Sequence, residues 1–360
     1  MAAVPRISPD QAEEIARTYY GVDAAAKRLA AEHDDTFRLA AADGAERLLK
    51  ISVTGRDGVT GPEDGAAAEP VSFQTAVLLH LARAAPELPV QRVVATADGR
   101  PELTLGSGPR RLVRMTAWLD GQLLSGARTG VGLRRSIGGT LARLSRALRG
   151  FDHPGAHRTH RWDLQNCGRL RELLGELPEL EGGLRAELTA CLDRFETVVR
   201  PRLAGIATQV IHTDFHGENL LTDGERITGI LDFGDALTGP VAMDVGVAAC
   251  YQLGGPGQPG GGDLLTPALD VVTGYHAVDP LDDRDPELVA EFIVARVVAR
   301  IIVSQWNAVR EPENTGYLLR RTPQAIEHFA ALRAVPHDEI VRRLRAACRP
   351  EGRGLHRRYR

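Results

Sequence analysis

The sequence predicts an α+β chain in two lobes, a small β-rich one followed by a larger, mostly helical one. Three observations point there. Asp-Gly pairs separate short apolar stretches in the first 120 residues, apolar residues then recur at helical spacing, and a brief β interlude (QVIHTD, then NLLTDGERITGILDF) interrupts the helical half. A length of 360 residues, 43% hydrophobic and 25% charged, is enough for two sizeable cores in an ordinary globular protein.

The elements follow in order. Asp43-Gly44 lies between TFRLAA and ERLLKISV, and Asp98-Gly99 between QRVVAT and PELTL. Asp-Gly supplies the positive φ values of tight turns, so each pair predicts a hairpin. Between them, Val71, Ala76, Leu78, Leu79 and Leu81 predict a helix over 71–84. Asp120-Gly121 closes the β-rich part after LVRMTAWL. Beyond it, Leu133, Ile137, Leu141, Leu144 and Leu148 step by 4, 4, 3 and 4 along one helix face. LRAELTACLDRFETVV reads likewise, and ELVAEFIVARVVARIIVSQW, apolar nearly all round, predicts a buried helix. Within the β interlude, Asp223-Gly224 turns a third hairpin. The glycine-rich stretch 254–262 reads as a loop without the strand and helix that a phosphate-binding loop requires. The last nineteen residues carry eight arginines and one glutamate, a solvated basic tail.

Charge and cysteine usage narrow the class. Forty-four basic against 47 acidic residues leave −3, which gives no general attraction to nucleic acid or membrane. Gly, Pro or charge breaks every apolar run before bilayer-spanning length, and MAAVPRISPD has no signal-peptide core. Cys167, Cys191, Cys250 and Cys348 lie far apart with no CxxC, as expected of reduced thiols in a cytoplasmic monomer or homodimer. Only two lysines occur, Lys27 and Lys50, among 44 basic residues. A chain that uses arginine for generic positive charge makes each surviving lysine a candidate for a specific task.

The densest polar stretch is VIHTDFHGENLL, Val210 to Leu221. His212 and His216 stand four apart, but a strand-like run precedes them and Gly217 breaks any helix, so a zinc pair is disfavoured. Phosphoryl transfer needs a carboxylate to orient the acceptor, an amide oxygen and a carboxylate to hold a divalent cation, and a cation on the phosphates. Asp214, Asn219, Asp232 (at the end of the apolar run GILDF) and Lys50 supply this set. Farther on, Arg296, Arg300, Ser304 and Asn307 recur at helical spacing, either as a structural ion pair or as a wall of an acceptor pocket. Trp162 and Asp163 form a carboxylate beside an aromatic face, or else a helix start capped by Asp163. His153, His157 and His160 fall in a loop broken by Pro154 and Gly155, which argues against a metal cluster.

HTDFHGEN together with LDFGDALTGPVAMDVGVA resembles the aminoglycoside phosphotransferase and choline kinase-like family of small-molecule kinases. HDDTFRL, LVRMTAWLDGQLL, LRGFDHPGAHRTHRWDL and PENTGYLL resemble the branch containing hydroxylysine kinase, and the likeness covers roughly residues 10 to 335. The resemblance implies a bilobal protein-kinase-like fold: a nucleotide-binding lobe over 1–115, a hinge over 116–121, a catalytic and acceptor-binding lobe over 122–340 and a basic tail over 341–360. It implies catalysis by Asp214, Mg2+ held by Asn219 and Asp232, and structural roles for His212 and Asp244. ATP or GTP would meet Lys50, Thr36, Phe37 and the stretch Met115, Thr116, Ala117 and Trp118. The acid opposite Lys50 is not obvious; Ser72 falls in its slot, with Glu69 one turn away.

The resemblance implies that the acceptor is a hydroxyl of a small polar molecule. Thr213 and His216 resemble the antibiotic kinases and favour a sugar hydroxyl of an aminoglycoside or nucleoside, with resistance as the outcome. An amino alcohol such as hydroxylysine is the alternative, and His216, Trp162, Asp163, Arg296, Arg300 and Asn307 are the candidate contacts. A protein kinase is disfavoured because TGP and MDVGVA follow Asp232 with no room for an activation segment. A P-loop is excluded, since neither lysine ends a GxxxxGK pattern. A catalytically dead binding module would be expected to have lost an aspartate or metal ligand, and none is lost.

Overall fold

The computed structural model describes residues 5–31, 34–53, 72–106, 110–178, 180–255 and 262–349. The N-terminal lobe opens with helix α1 (Pro9–Tyr20), which the hydrophobic pattern alone did not announce. Its start is nonetheless written in the sequence: Ser8 Oγ accepts from Gln11 N–H, Gln11 Oε1 accepts from Ser8 N–H, and Pro9 takes the first helical position. Strands β1 (Ala24–Leu29), β2 (Asp35–Ala41) and β3 (Glu46–Val53) follow, then helix α2 (Phe73–Ala84), β4 (Val93–Val94), β5 (Leu103–Leu105) and β6 (Arg111–Ala117). They form one sheet in the order β1-β2-β3-β6-β4, with β5 also on β6.

Asp43-Gly44 turns the β2–β3 hairpin as expected, with Gly44 at φ 81°. Asp98-Gly99 also turns, but its flanking strands do not pair with each other. β4 takes Thr116 and Met115, and β5 takes Val113 to Arg111, so the two share one edge of β6 end to end.

Alternation along the strands splits their side chains between two faces. Phe37, Leu39, Leu49, Ile51, Val113 and Met115 pack with α1 residues Ala12, Ala16 and Tyr20 into a core of their own. Thr36, Lys50 and Arg114 stand opposite one another across β2, β3 and β6, on the other face. Lys27, by contrast, is exposed on the edge strand β1.

The C-terminal lobe begins at β7 (Gln122–Leu123) and α3 (Val131–Leu148). It continues through α4 (Leu170–Glu176), α5 (Leu184–Arg194), α6 (Arg200–Leu203), β8 (Thr208–Ile211), β9 (Leu220–Thr222), β10 (Ile227–Ile230) and β11 (Leu237–Pro240). Helices α7 (Val241–Cys250), α8 (Thr266–His276), α9 (Asp285–Arg310), α10 (Thr315–Leu318), α11 (Thr322–Ala334) and α12 (His337–Ala347) complete it. All five predicted core leucine and isoleucine positions of α3 are buried, as is most of α9. The Asp223-Gly224 turn joins β9 to β10, which pair antiparallel. α3 and α8 touch backbone to backbone: a Cβ on Gly138 would lie 1.9 Å from the Val271 carbonyl oxygen, so only glycine fits.

Three expected boundaries move. α2 precedes the hinge, yet Phe73, Val77, Leu78 and Leu81 belong to the C-terminal core rather than to the core under the sheet. Thr116 and Ala117, expected in the hinge, are ladder residues of β6. Residues 341–347, expected to open a basic tail, continue α12, where Val341 and Leu344 are buried; residues 350–360 and most of the glycine-rich stretch lie outside the described residues. All four cysteines are free thiols, and no described helix is long and apolar enough to cross a membrane.

Candidate active site

The cleft between the lobes is built from two turns and one strand. The first turn leaves β8 at His212, whose ring is fully buried against Phe215 and Phe233. Its Nε2–H donates to the Leu231 carbonyl at 3.0 Å and its Nδ1 accepts from Asp214 N–H at 3.3 Å. Thr213 follows at φ 64°, a left-handed conformation that costs a threonine about 1–3 kcal/mol. Asp244, on α7, compensates: its two carboxylate oxygens accept from His212 N–H at 2.9 Å and Thr213 N–H at 2.7 Å. Thr213 Oγ1 adds a bond to the Asp235 carbonyl at 2.7 Å.

Held in this way, Asp214 points into the cleft. Arg296 donates Nη2–H to its Oδ1 at 2.5 Å, while Asn219 Nδ2 and His216 Nε2 donate to Oδ2 at 2.7 and 3.2 Å. Burial pushes the Asp214 carboxyl up, but His216 and Arg296 outweigh it and hold the group far below the usual carboxylate range. With Nδ2 of Asn219 spent on Asp214, its Oδ1 is the atom left for a cation. Two oxygens offer about four lone-pair positions, so Asp214 retains one for an incoming hydroxyl.

The second turn carries Asp232 at φ 50°, the other left-handed non-glycine among the described residues. Its Oδ1 accepts from Gly234 N–H at 2.9 Å and lies 3.5 Å from Lys50 Nζ. The Lys50 ammonium holds the Asp232 carboxyl below its ordinary range. Lys50 also bridges Asp34 at 2.9 Å. Burial would lower the Lys50 ammonium, and the two carboxylates more than offset it, so it stays charged. Three residues past Asp232, burial and the charges of Asp214 and Asp232 push the Asp235 carboxyl up to about 7.

The expected acceptor contacts divide. His216 stacks on Tyr251 with ring centroids 4.5 Å apart. Arg296 is 2% exposed, bonds Tyr251 Oη at 3.0 Å, and stacks over Trp162 at 4.6 Å. Arg300 also lies over the Tyr251 ring, at 4.8 Å. These four join one wall beside Asp214. Asp163 does not: its buried carboxylate caps the turn over 164–169, accepting from Gln165 N–H, Gln165 Nε2 and Asn166 Nδ2. No hydrogen bond or ion pair among the described residues joins the Asn307 side chain to this wall. His153, His157 and His160 turn to separate partners, Gly155 N–H, Asp152 and the Asp235 carbonyl.

The expected nucleotide contacts divide too. Thr36 and Thr116 share the cleft face with Lys50, and Thr116 Oγ1 is buried without a partner. Phe37 and Met115 face the opposite way, fully buried beneath α1, because a strand sends alternate side chains to opposite sides. The N–H groups of Ala117 and Trp118 are spent on the Arg92 and Glu46 carbonyls, and Arg38 covers the Trp118 ring at 4.7 Å. Glu69 lies outside the described residues. Missed altogether were Tyr251, Asp34 as the partner of Lys50, and Glu218, which Arg320 and Arg321 grip at 2.9 Å. Such pairings join residues as much as 103 positions apart and leave no local pattern.

Asn219 Oδ1 and the Asp232 carboxylate are hard oxygen donors of the kind Mg2+ takes when substrate phosphates and water fill its remaining positions. Among the described residues there is no group of three or more His, Cys, Asp or Glu placed to hold a metal.

Known proteins share this architecture. Hydroxylysine kinase of Mus musculus is 25% identical over 360 aligned positions, covering 92% of this chain and 90% of its own. Homoserine kinase of Hyphomonas neptunium is 29% identical over 204 positions, 55% of this chain and 60% of its own. An amicoumacin kinase, solved with AMP-PNP and Ca2+, superimposes with a TM-score of 0.64 at 15% identity, over 89% of this chain and 94% of its own, which establishes the protein-kinase-like fold. The phosphotransferase enzyme family model, APH, matches residues 25–292, and the chain is a small-molecule kinase belonging to that family.

Proposed function

We propose that the protein moves the γ-phosphate of ATP or GTP to a hydroxyl of a small amine-bearing molecule, an amino alcohol or hydroxy amino acid, with Asp214 as the catalytic carboxylate. The observation that carries this is the meeting of Asp214, Asn219, Asp232 and Lys50 at one cleft, with Lys50 Nζ 3.5 Å from Asp232 and Asn219 Nδ2 2.7 Å from Asp214. A bond forms between the acceptor oxygen and the γ-phosphorus while the bond to the β–γ bridging oxygen breaks, and the nucleoside diphosphate leaves. Asp214 accepts the hydroxyl's hydrogen bond and takes its proton late. A carboxylate held so far down is a weak base, so its contribution is orientation. Lys50 binds the phosphate chain from the sheet. Asn219 and Asp232 would hold Mg2+, which neutralises phosphate charge when bound.

The acceptor class rests on two supports. One relative, aligned along 92% of the chain, is a hydroxylysine kinase. Asp235, beside Asp214, gives the acceptor side a carboxyl that a nearby ammonium would return to its charged form. A sugar hydroxyl of an antibiotic is a second reading, favoured by His216 two residues after Asp214, as the antibiotic kinases have it. The test is phosphorylated mass after incubation with Mg2+, ATP or GTP, and a panel of amino alcohols, hydroxy amino acids, aminoglycosides and nucleoside antibiotics. Product only on sugars would replace the first reading by the second, and nucleotide binding with no product on any acceptor would overturn both.

A further inference from the structure

Helix α2 contains no aspartate or glutamate, so it offers Lys50 no acid partner. The lysine's carboxylates among the described residues come from elsewhere, Asp34 and Asp232. The helix is tied to the sheet by other means. Arg114 stands opposite Lys50 in the β3–β6 ladder and is 8% exposed. It donates Nη1–H to Thr75 Oγ1 at 3.1 Å and Nη2–H to Gln74 Oε1 at 2.8 Å, both in the first turn of α2. Glu102, just ahead of β5, completes the grip, accepting from Ser72 Oγ at 2.7 Å and from Thr75 Oγ1 at 2.5 Å. From the same turn Gln74 reaches the Asp232 loop: a Cβ on Gly234 would lie 3.7 Å from Gln74 Nε2.

These contacts cross between the lobes. α2 buries its apolar face in the C-terminal core, whereas Arg114 lies in β6 of the N-terminal sheet and Glu102 directly precedes β5. A continuous path therefore runs from the Lys50 row through Arg114 and Gln74 to the Asp232 turn. A planar guanidinium suits the junction, because its fork serves two acceptors at once and a lysine ammonium cannot hold that geometry.

We propose that Arg114 is a positioning residue for phosphoryl transfer: by gripping Gln74 and Thr75 it sets the strand of Lys50 at its working distance from Asp232, the coupling that an acid on α2 would otherwise supply. This rests on the phosphotransferase reading above. An error of about 1 Å in such a distance costs on the order of 100-fold in rate.

Steady-state kinetics with separate nucleotide and acceptor titrations test it, on Arg114→Met, Arg114→Lys, Gln74→Leu and Thr75→Val. The last two cut one arm each from the helix side and leave the buried cation in place, so they report even if Arg114→Met folds poorly. Arg114→Met is expected to lower kcat/KM for the nucleotide by roughly 10- to 100-fold, with acceptor KM unchanged. Arg114→Lys recovers little of this, and the single-arm variants fall between. Wild-type kinetics in Arg114→Lys, or single-arm variants that lose thermal stability while the folded enzyme keeps its nucleotide kcat/KM, would overturn the proposal and leave the clamp purely structural. A wild-type protein that phosphorylates no acceptor overturns instead the reading on which it rests.

Discussion

Asp214 and Lys50 face the same cleft, yet they are held by different means. Everything that fixes Asp214 belongs to the C-terminal lobe: Arg296 from α9, Asn219 and His216 from its own loop, and Asp244 from α7 behind it. One apolar core supports all of these elements. Lys50 rises from a separate core under α1, and its carboxylates come from the β1–β2 loop and from the opposite lobe. The side proposed to take the acceptor is thus assembled within a single packed body, and the side proposed to take the nucleotide is completed only where the two cores meet. A site divided in this way separates chemistry from nucleotide capture, and substitutions on the two sides should fail differently.

The largest effect is expected on the pre-assembled side. Asp214→Ala removes the carboxylate proposed to orient the acceptor hydroxyl, and turnover should fall about a thousandfold or more in a coupled assay of diphosphate release. On the other side, Lys50→Met deletes the phosphate contact proposed for it; a charge-assisted bond of that kind is worth about 1.5–3 kcal/mol, so nucleotide affinity should fall by roughly 10- to 100-fold. Asp244→Asn tests the brace. An amide offers one oxygen to two backbone N–H groups, and denaturant unfolding should show a loss of about 2 kcal/mol, with lower kcat as Thr213 leaves its left-handed geometry.

A smaller, pH-dependent effect is expected behind the same wall. Burial, with Arg300 beside it, lowers the His328 imidazole to about 4. The unfolded chain takes this proton near pH 6.5 and the folded chain does not, so stability is present above that pH and is lost as pH falls towards 4. His328→Leu should flatten the stability profile by about 1 kcal/mol between pH 7.5 and 5.5, read by denaturant unfolding at the two pH values.

The same division governs what the sequence made legible. The half around Asp214 is local: His212, Asp214 and Asn219 lie within eight residues and Asp232 follows shortly after, so motif and spacing carry it. Lys50 stood out because Lys27 is its only companion. The remainder depends on contacts distant in the chain. Arg296 meets Asp214 across 82 positions and Arg114 meets Gln74 across 40, and neither pairing has a local signature. Phe37 and Met115 were misplaced for a different reason: residence in a cleft-lining strand does not say which face a side chain takes. α2 was assigned to the first lobe because it precedes the hinge, but its leucines pack into the second. Helix α1 was readable from Ser8, Pro9 and Gln11, a capping signal that hydrophobic periodicity overlooks.

The division itself is most directly tested by calorimetric titration of the Mg–nucleotide complex into Asp214→Ala and Lys50→Met. Asp214→Ala is expected to bind nucleotide within a few-fold of wild type and Lys50→Met to lose roughly 10- to 100-fold. Nucleotide affinity lost in Asp214→Ala, or retained in Lys50→Met, would contradict it.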